Sequence, residues 1–188
     1  MSRLVGAKVA FLTSMTGIED PELTVPWTAV LEAGGAAELV APEPGEVSTV
    51  SGDLEPVASY PVDRQLDAVV AAEFDALVIP GGTVNADRLR VLPAAQALVR
   101  AFAEQRKPIA AICHGPWLLI DAGVADGATL TSYHSLATDL RNAGATWVDA
   151  EVSVWQEQGW PLVTSRQPGD LPAFCTMLVE VVGEAVRT

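Results

Sequence analysis

The chain has 188 residues, of which 49% are apolar and 19% are charged, and its formal net charge is −13. This composition excludes a disordered chain and predicts one globular domain over residues 1–188. The negative charge argues against nucleic acid or an anionic membrane as a partner, because both bind basic protein surfaces.

Strand-like and helix-like segments alternate along the first half of the chain. In order, we predict a strand over 8–14, a helix over 22–33, a strand over 37–40, a hairpin or extended loop over 42–60, a short helix over 63–71 and a strand over 74–79. Gly34-Gly35 ends the first helix, and Pro80-Gly81-Gly82 ends the last of these strands.

The second half continues the alternation. We predict a helix over 94–105, a strand over 108–112, an apolar helix beginning near Gly115, a strand over 129–133, a helix over 135–142, one or two strands over 148–164 around a Trp-rich turn at 156–161, and a closing helix over 172–186. Alternating elements predict βαβ units, and hence an α/β fold with a mostly parallel sheet covered by helices on both faces.

Several polar or reactive residues directly follow predicted strands. They are Glu19, the Gly81-Gly82 pair, Cys113 and Tyr133. Ligands of open α/β sheets bind outside the carboxyl ends of the strands, so we expect these residues to meet at one site.

Cys113 lies between a buried strand and an apolar helix, which is the position of a nucleophile at a sharp strand-to-helix turn. Ala111 and Gly115, two places to either side, supply the small residues that such a turn needs. The positive end of the following helix favours a thiolate, so we predict a thiol pKa below the ordinary value of about 8.5. The other cysteine, Cys175, is on an apolar helix and is predicted to be a packing residue.

The chain has two histidines, so an imidazole base near Cys113 must be His114 or His134. His114 adjoins the cysteine and is favoured, whereas His134 is expected in a solvated loop. Glu19 lies in an acidic cluster after the first strand and either complements a helix start or bonds the thiol. A thiol-bonding Glu19 has to be protonated or well supplied with hydrogen-bond donors, because a second negative charge would raise the cysteine pKa.

Three further residues complete the predicted pocket. Gly81 and Gly82 form either a tight turn or a source of bare amides for an oxyanion, together with the N–H of His114. Trp117, one helical turn after Cys113, is expected to wall the pocket. The cysteines and histidines form no disulfide framework or zinc pattern, and no apolar run approaches the ~20 residues that span a bilayer. We therefore expect a cytoplasmic protein with no metal and no cofactor.

The segment Ala111-Ile112-Cys113-His114-Gly115-Pro116 resembles the signature of the DJ-1/PfpI superfamily, in its branch of PfpI-type intracellular proteases and general stress proteins. Further segments agree in order, at 18–23, 78–82, 87–90, 130–133, 142–147, 162–166 and 168–174. The resemblance thus covers nearly the whole chain. It implies a flavodoxin-like three-layer sandwich that forms homodimers, in some members assembled into hexamers.

The resemblance also implies roles for individual residues. Cys113 matches the reactive nucleophile of the family, Glu19 its thiol-bonding glutamate, and His114 the histidine of a proposed triad. The acid of that triad comes from a neighbouring subunit, and Asp87 is in the matching stretch. An aspartate has a shorter reach than the usual glutamate, which weakens the case for a peptidase triad.

Other matches and departures concern the pocket walls. Tyr133 matches a pocket tyrosine, His134 stands where proline is usual, and Trp117 stands where glutamine is common. The stretch between Trp155 and Trp160 is longer than the usual hairpin.

Three functions are compatible with these residues. The favoured one is a stress-response enzyme of glyoxalase or deglycase type, in which Cys113 adds to small aldehydes or to glycated proteins, and Glu19 and His114 move protons. The alternatives are an intracellular cysteine peptidase acting on peptides, and a redox-sensing or chaperone-like protein that does no catalysis. In each case the protein's main partner is a second copy of itself.

Overall fold

The computed structural model describes residues 3–187, and within that range strands and helices alternate as the sequence predicts. The strands are β1 Lys8–Leu12, β2 Thr16–Glu19, β3 Ala36–Ala41, β4 Glu46–Ser51, β5 Glu55–Pro61, β6 Arg64–Gln65, β7 Ala76–Ile79, β8 Ile109–Ile112, β9 Thr129–Leu130, β10 Thr146–Trp147, β11 Val152–Trp155 and β12 Leu162–Ser165. The α-helices are α1 Asp20–Glu32, α2 Thr83–Arg90, α3 Pro93–Glu104, α4 Pro116–Asp121, α5 Ala137–Asn142 and α6 Leu171–Ala185.

Seven strands form the central sheet, in the order β11-β12-β8-β7-β1-β3-β6. Every neighbouring pair is parallel except β11 with β12. The chain leaves β1 for β3 on one side and reaches β7, β8 and β12 on the other. The switch point, where such sheets bind ligands, is therefore between β1 and β7. The predicted α/β class with a mostly parallel sheet is confirmed.

Side chains of β1 alternate between two hydrophobic cores, one on each face of the sheet. Val9 and Phe11 belong to the core covered by α1 and α6, and Ala10 and Leu12 belong to the core covered by α3 and α4. Continuous apolar strands are typical of a parallel sheet that is buried on both faces. This packing fixes the carboxyl ends of β1, β7 and β8 beside one another.

A second, three-stranded sheet of β2, β4 and β5 stands beside the main sheet. β4 and β5 form the hairpin that the Gly- and Ser-rich stretch predicts, and β2 pairs with β4 in parallel. The hairpin turn contains Gly52 and Asp53, both with positive φ. This small sheet matters because its turn reaches the carboxyl end of the main sheet.

The structure corrects two predicted elements. The helix predicted over 63–71 is a two-residue strand, β6, followed by 3-10 turns at Leu66–Ala68 and Ala71–Glu73. Val69 and Val70 separate the turns, and β-branched side chains disfavour a continuous helix. Conversely, α2 has few apolar residues and was not predicted, although it directly follows Gly82.

The tryptophans of the Trp-rich stretch belong to the hydrophobic core. Trp155 and Trp160 are buried and pack edge to face, with ring centroids 5.5 Å apart. They therefore strengthen one core and do not line the site of Cys113. Among residues 3–187, no helix is both long and apolar enough to cross a membrane.

Candidate active site around Cys113

Cys113 directly follows β8 and adopts the left-handed conformation, with φ of +61°. Its N–H donates to the carbonyl of Ser165 (3.0 Å), and its own carbonyl accepts from the N–H of Tyr133 (2.9 Å). A non-glycine residue in this conformation costs about 1–2 kcal/mol, so its neighbours on both sides have to hold it there. Gly115 is required close by, because a Cβ at this position would lie 2.6 Å from the carbonyl oxygen of Ile79.

Glu22, not Glu19, is the carboxyl group at the thiol. The Glu22 carboxyl group interacts with the thiol of Cys113, and it accepts the N–H of Gly81 at 2.9 Å. The carboxylate of Glu19 instead accepts the N–H groups of Gly52 (3.0 Å) and Asp53 (3.2 Å). The prediction that Glu19 bonds the thiol is therefore wrong. Glu19 ends β2 and faces the hairpin turn, whereas Glu22 is in the first turn of α1 and faces the end of β8.

The thiol and the carboxyl group are both buried, and burial disfavours their charged forms. Burial, together with the nearby charge of Glu19, raises the pKa of Glu22 to about 8, so this group is protonated at neutral pH. Burial and Glu22 also raise the pKa of the Cys113 thiol above its ordinary value, although the amides of Gly82 and His114 oppose the shift. The predicted lowering of the thiol pKa is wrong, because α4 has only six residues and the sulfur is out of water.

His114 is the base closest to the sulfur. Its Nδ1 lies 3.2 Å from Sγ of Cys113, and its Nε2 lies 3.4 Å from Oγ1 of Thr83 and 3.5 Å from Oγ of Ser135. Burial lowers the pKa of the imidazole, which is therefore neutral at pH 7. A neutral imidazole at this distance can accept the thiol proton as the sulfur attacks.

Aromatic rings hold the imidazole in place. The ring of Tyr133 stacks on His114 at 4.8 Å, and the ring of Trp117 packs against it edge to face at 5.2 Å. Trp117 is itself fixed, because its Nε1 donates to Asp139 (2.8 Å). His134 packs on the outer face of Tyr133 at 4.4 Å and is exposed, as predicted for a solvated residue.

The two glycines after β7 have different tasks. The N–H of Gly81 is already donated to Glu22, which removes it from the predicted oxyanion donors. The amides of Gly82 and His114 both favour negative charge on the sulfur of Cys113, so they are close to any atom that the sulfur attacks. These two N–H groups are the candidate donors to an oxyanion.

Asn85, which sequence analysis did not single out, fixes this glycine loop. The side chain is completely buried, accepts the N–H of Ser14 (2.7 Å) and donates to the carbonyls of Pro80 and Gly81 (both 3.0 Å). It thus ties the end of β1 to the loop after β7.

Replacing Asn85 with Ala is expected to lower the free energy of unfolding by about 2–4 kcal/mol, because the N–H of Ser14 and the carbonyl of Pro80 lose their side-chain partner and the carbonyl of Gly81 keeps only a longer bond from Glu19. Urea denaturation measures the change. Arg88→Ala, an exposed position of the same helix, is the control and should change the free energy by less than about 0.5 kcal/mol. Equal losses in the two variants would contradict this role of Asn85.

Asp87 lies on the exposed side of α2. Between residues 3 and 187, no hydrogen bond or ion pair joins it to His114, whose Nε2 faces Thr83 and Ser135 instead. A role for Asp87 in a triad therefore requires a neighbouring subunit. In the same range, no group of three or more His, Cys, Asp and Glu side chains is arranged to hold a metal ion.

Sequence analysis missed four polar residues of this region: Glu22, Asp53, Thr83 and Asn85. The acidic cluster 19–22 contained the signal for Glu22 but not its direction. Nothing in the sequence indicated that Asp53 is near the site, because it comes from a hairpin turn 60 positions before Cys113.

A doubly wound sheet with a left-handed cysteine directly after β8, beside a carboxyl group and an imidazole, defines a class of α/β proteins with a buried thiol at the carboxyl edge of the sheet. The model of the DJ-1/PfpI family matches residues 7–181, and the chain belongs to this family. The resemblance and the flavodoxin-like fold inferred from the sequence are thereby confirmed.

Relatives cover almost the full length. General stress protein 18 of Bacillus subtilis is 44% identical over 170 residues, which are 90% of this chain and 94% of that protein. Protein/nucleic acid deglycase 2 of Escherichia coli is 41% identical over 165 residues, covering 88% and 92%. A solved two-domain protein of Anabaena variabilis, with DJ-1/ThiJ/PfpI-like and ferritin-like domains, superimposes with a TM-score of 0.85 at 33% identity. That match covers 94% of this chain and 48% of that one, so this chain spans about half its length.

Proposed function

We propose that this protein is a stress-response enzyme of glyoxalase or deglycase type, which acts on reactive carbonyls through Cys113 without a cofactor. One observation carries the proposal: the thiol interacts with two groups that can give and take protons, the carboxyl of Glu22 and the imidazole of His114, whose Nδ1 lies 3.2 Å from the sulfur. The names of the relatives, a general stress protein and a deglycase, support it.

The first step is addition of the thiol to an aldehyde such as methylglyoxal. Sγ of Cys113 bonds to the aldehyde carbon, the thiol proton passes to Nδ1 of His114, and the carbonyl oxygen becomes an oxyanion next to the amides of Gly82 and His114. Glu22 is protonated at neutral pH and gives its proton to this oxygen, forming a hemithioacetal.

The second step moves a proton between the two carbons of the substrate. The Glu22 carboxylate takes the proton of the carbon bonded to sulfur, and the protonated His114 gives its proton to the neighbouring oxygen, which forms an enediol. Glu22 then returns its proton to the neighbouring carbon while the hydroxyl on the sulfur-bearing carbon gives its proton back to His114. The product is a thioester of lactate, and water hydrolyses it to lactate and the free thiol. Methylglyoxal and one water thus give lactate, with no net oxidation. With a glycated protein amine, Sγ bonds to the same carbon, the carbon–nitrogen bond breaks, and the amine leaves with the thiol proton, which gives the same hemithioacetal.

The decisive experiment is the measurement of lactate formed from methylglyoxal by freshly reduced protein. Cys113→Ala should reduce the rate to that of buffer, because the atom that attacks is gone. Cys175→Ala is the matched control, since it removes the other, half-buried thiol at a distance from the site, and it should keep the wild-type rate. A wild-type protein that forms no lactate above buffer would contradict the proposal.

A cysteine peptidase is the second candidate, and the exposure of Asp87 favours it, because a neighbouring subunit can reach this carboxylate. Casein cleavage that falls in Asp87→Ala would support a peptidase. A redox sensor, the third candidate, would instead show Cys113 stopping at a sulfinic acid under peroxide, with neither activity present.

We also propose that the chain works in the cytoplasm as a single-domain subunit of a homodimer or of a hexamer built from three dimers. Glycated proteins or peptides and small aldehydes are its substrates. Light scattering of the purified protein tests the assembly, and a monomer at micromolar concentration would contradict it.

A further inference from the structure

The hairpin turn between β4 and β5 is held over the site in one conformation. Asp53, in that turn, has φ of +66°, a conformation that few non-glycine residues adopt. Both oxygens of the Glu19 carboxylate fix it, by accepting the N–H groups of Gly52 (3.0 Å) and Asp53 (3.2 Å). Since Glu19 is buried, at 8% exposure, this clamp is protected from water. Because a buried carboxylate holds this strained turn in place, we expect the position of Asp53 to be important for the site.

The carboxylate of Asp53 accepts two hydrogen bonds from Thr83. One oxygen accepts the N–H of Thr83, and the other accepts its hydroxyl proton, both at 2.7 Å. A threonine hydroxyl has one proton and two lone pairs. Because that proton is given to Asp53, Oγ1 can only accept a hydrogen bond from its other neighbour, Nε2 of His114, 3.4 Å away.

This arrangement decides which nitrogen of His114 carries the proton. An accepting Oγ1 favours a hydrogen on Nε2, and in a neutral imidazole Nδ1 is then bare. Nδ1 is the atom 3.2 Å from the sulfur, so the bare nitrogen faces the thiol. The hydroxyl of Ser135, 3.5 Å from Nε2, can also accept from the same hydrogen.

We propose that Asp53 and Thr83 are positioning residues that hold His114 in the tautomer able to accept the thiol proton, and that they do so from within the same chain. The effect on turnover rests on the function proposed above, whereas the effect on the tautomer does not. The inference assigns Glu19 the task of holding the turn. It also separates the orientation of His114 from Asp87 and from any neighbouring subunit.

Nitrogen NMR of the full-length protein, labelled with ¹⁵N-histidine, tests the tautomer directly. The chain has two histidines, so the spectrum contains two rings, and His134→Gln assigns them. We expect wild-type His114 to be protonated at Nε2 and bare at Nδ1. A wild-type ring with its proton on Nδ1 would overturn the inference.

Asp53→Asn is the sharpest variant. Asparagine tolerates a positive φ, and its amide oxygen can still accept the N–H of Thr83. Its NH₂ group cannot accept the hydroxyl proton, so the Thr83 hydroxyl turns its proton towards Nε2. His114 should then shift its proton to Nδ1, and lactate formation should fall by about 10²-fold, because the base no longer accepts from sulfur.

Two further variants protect the test against a folding defect. Thr83→Val removes the hydroxyl, so His114 should no longer favour a proton on Nε2 and kcat should fall by about 10²-fold. Thr83→Ser keeps the hydroxyl, so the tautomer of His114 and kcat should both stay near their wild-type values. Asp63→Asn is the matched control, because this aspartate accepts a backbone N–H, that of Leu39 (2.8 Å), away from the site. An unchanged tautomer in both D53N and T83V would overturn the inference. A changed tautomer in a protein that forms no lactate would support the inference and contradict only the proposed function.

Discussion

Replacing Glu22 with Gln is expected to lower the rate of lactate formation by at least about 10²-fold. Glutamine keeps an oxygen for the N–H of Gly81, so the loop after β7 retains its hydrogen bond. It cannot give or take a proton at the substrate, which is the task we propose for Glu22. The rate of lactate formation at saturating methylglyoxal measures the loss.

Glu32→Gln is the matched control, because this exposed glutamate lies at the far end of the same helix, α1. It should keep the wild-type rate. A loss in E32Q equal to that in E22Q would contradict the proton-transfer role of Glu22.

Glu22→Gln is also expected to remove part of the pH dependence of the free energy of unfolding. Burial raises the pKa of Glu22 from 4.5 to about 8. Between these values the folded protein holds a proton that the unfolded chain has lost, so the free energy of unfolding falls as the pH rises, by up to about 5 kcal/mol from this group. Glutamine does not titrate. E22Q should therefore equal the wild type in urea near pH 4.5 and exceed it clearly at pH 8, and parallel curves would contradict a protonated Glu22.

Replacing Gly82 with Ala is expected to reduce the free energy of unfolding by about 3–5 kcal/mol and to abolish activity. Gly82 has φ of +90°, and a Cβ there would collide with the carbonyl of Gly17 and lie 2.8 Å from the N–H of Glu19. Relief of this collision moves the amide that faces Cys113. Urea denaturation and lactate formation measure the two effects.

Gly123→Ala separates the collision from the backbone strain. Gly123 also has a positive φ, of +74°, but nothing lies within 4 Å of a Cβ built there. This control should cost only the left-handed strain, about 1–2 kcal/mol, and should stay active. Equal destabilisation of the two variants would show that the space around Gly82 is not limiting.

Most strands of the central sheet were predictable because they are short, apolar and ended by a glycine, a proline or a polar residue, whereas β6 is the polar pair Arg64–Gln65 and was not. The position of Cys113 was predictable for a related reason, since a lone cysteine between a strand and a helix has small residues at 111 and 115. α2 was not predictable, because it presents few apolar residues to the core and depends on Asn85 and on its attachment to Gly82.

The side chains around the thiol were harder to predict than the position of Cys113 itself. Glu19 and Glu22 are three positions apart, and only the exact start of α1 decides which of them faces the end of β8. The thiol pKa was predicted in the wrong direction, because the helix that was expected to lower it is six residues long and burial has the larger effect. Gly52-Asp53 is a local signal for a turn, but the contact of Asp53 with the site depends on the pairing of β4 with β5 and with β2, which no local pattern specifies.

The groups around the sulfur come from α1, the hairpin turn, the start of α2 and the segment near Tyr133, so they span more than half of the chain. A nascent or partly folded chain therefore contains an ordinary cysteine, with neither its acid nor its base in place. The acid and the base that we propose for catalysis come together with the thiol only when the last of these segments docks. Recovery of turnover after dilution from urea thus reports the completion of folding, later than any signal from secondary structure alone.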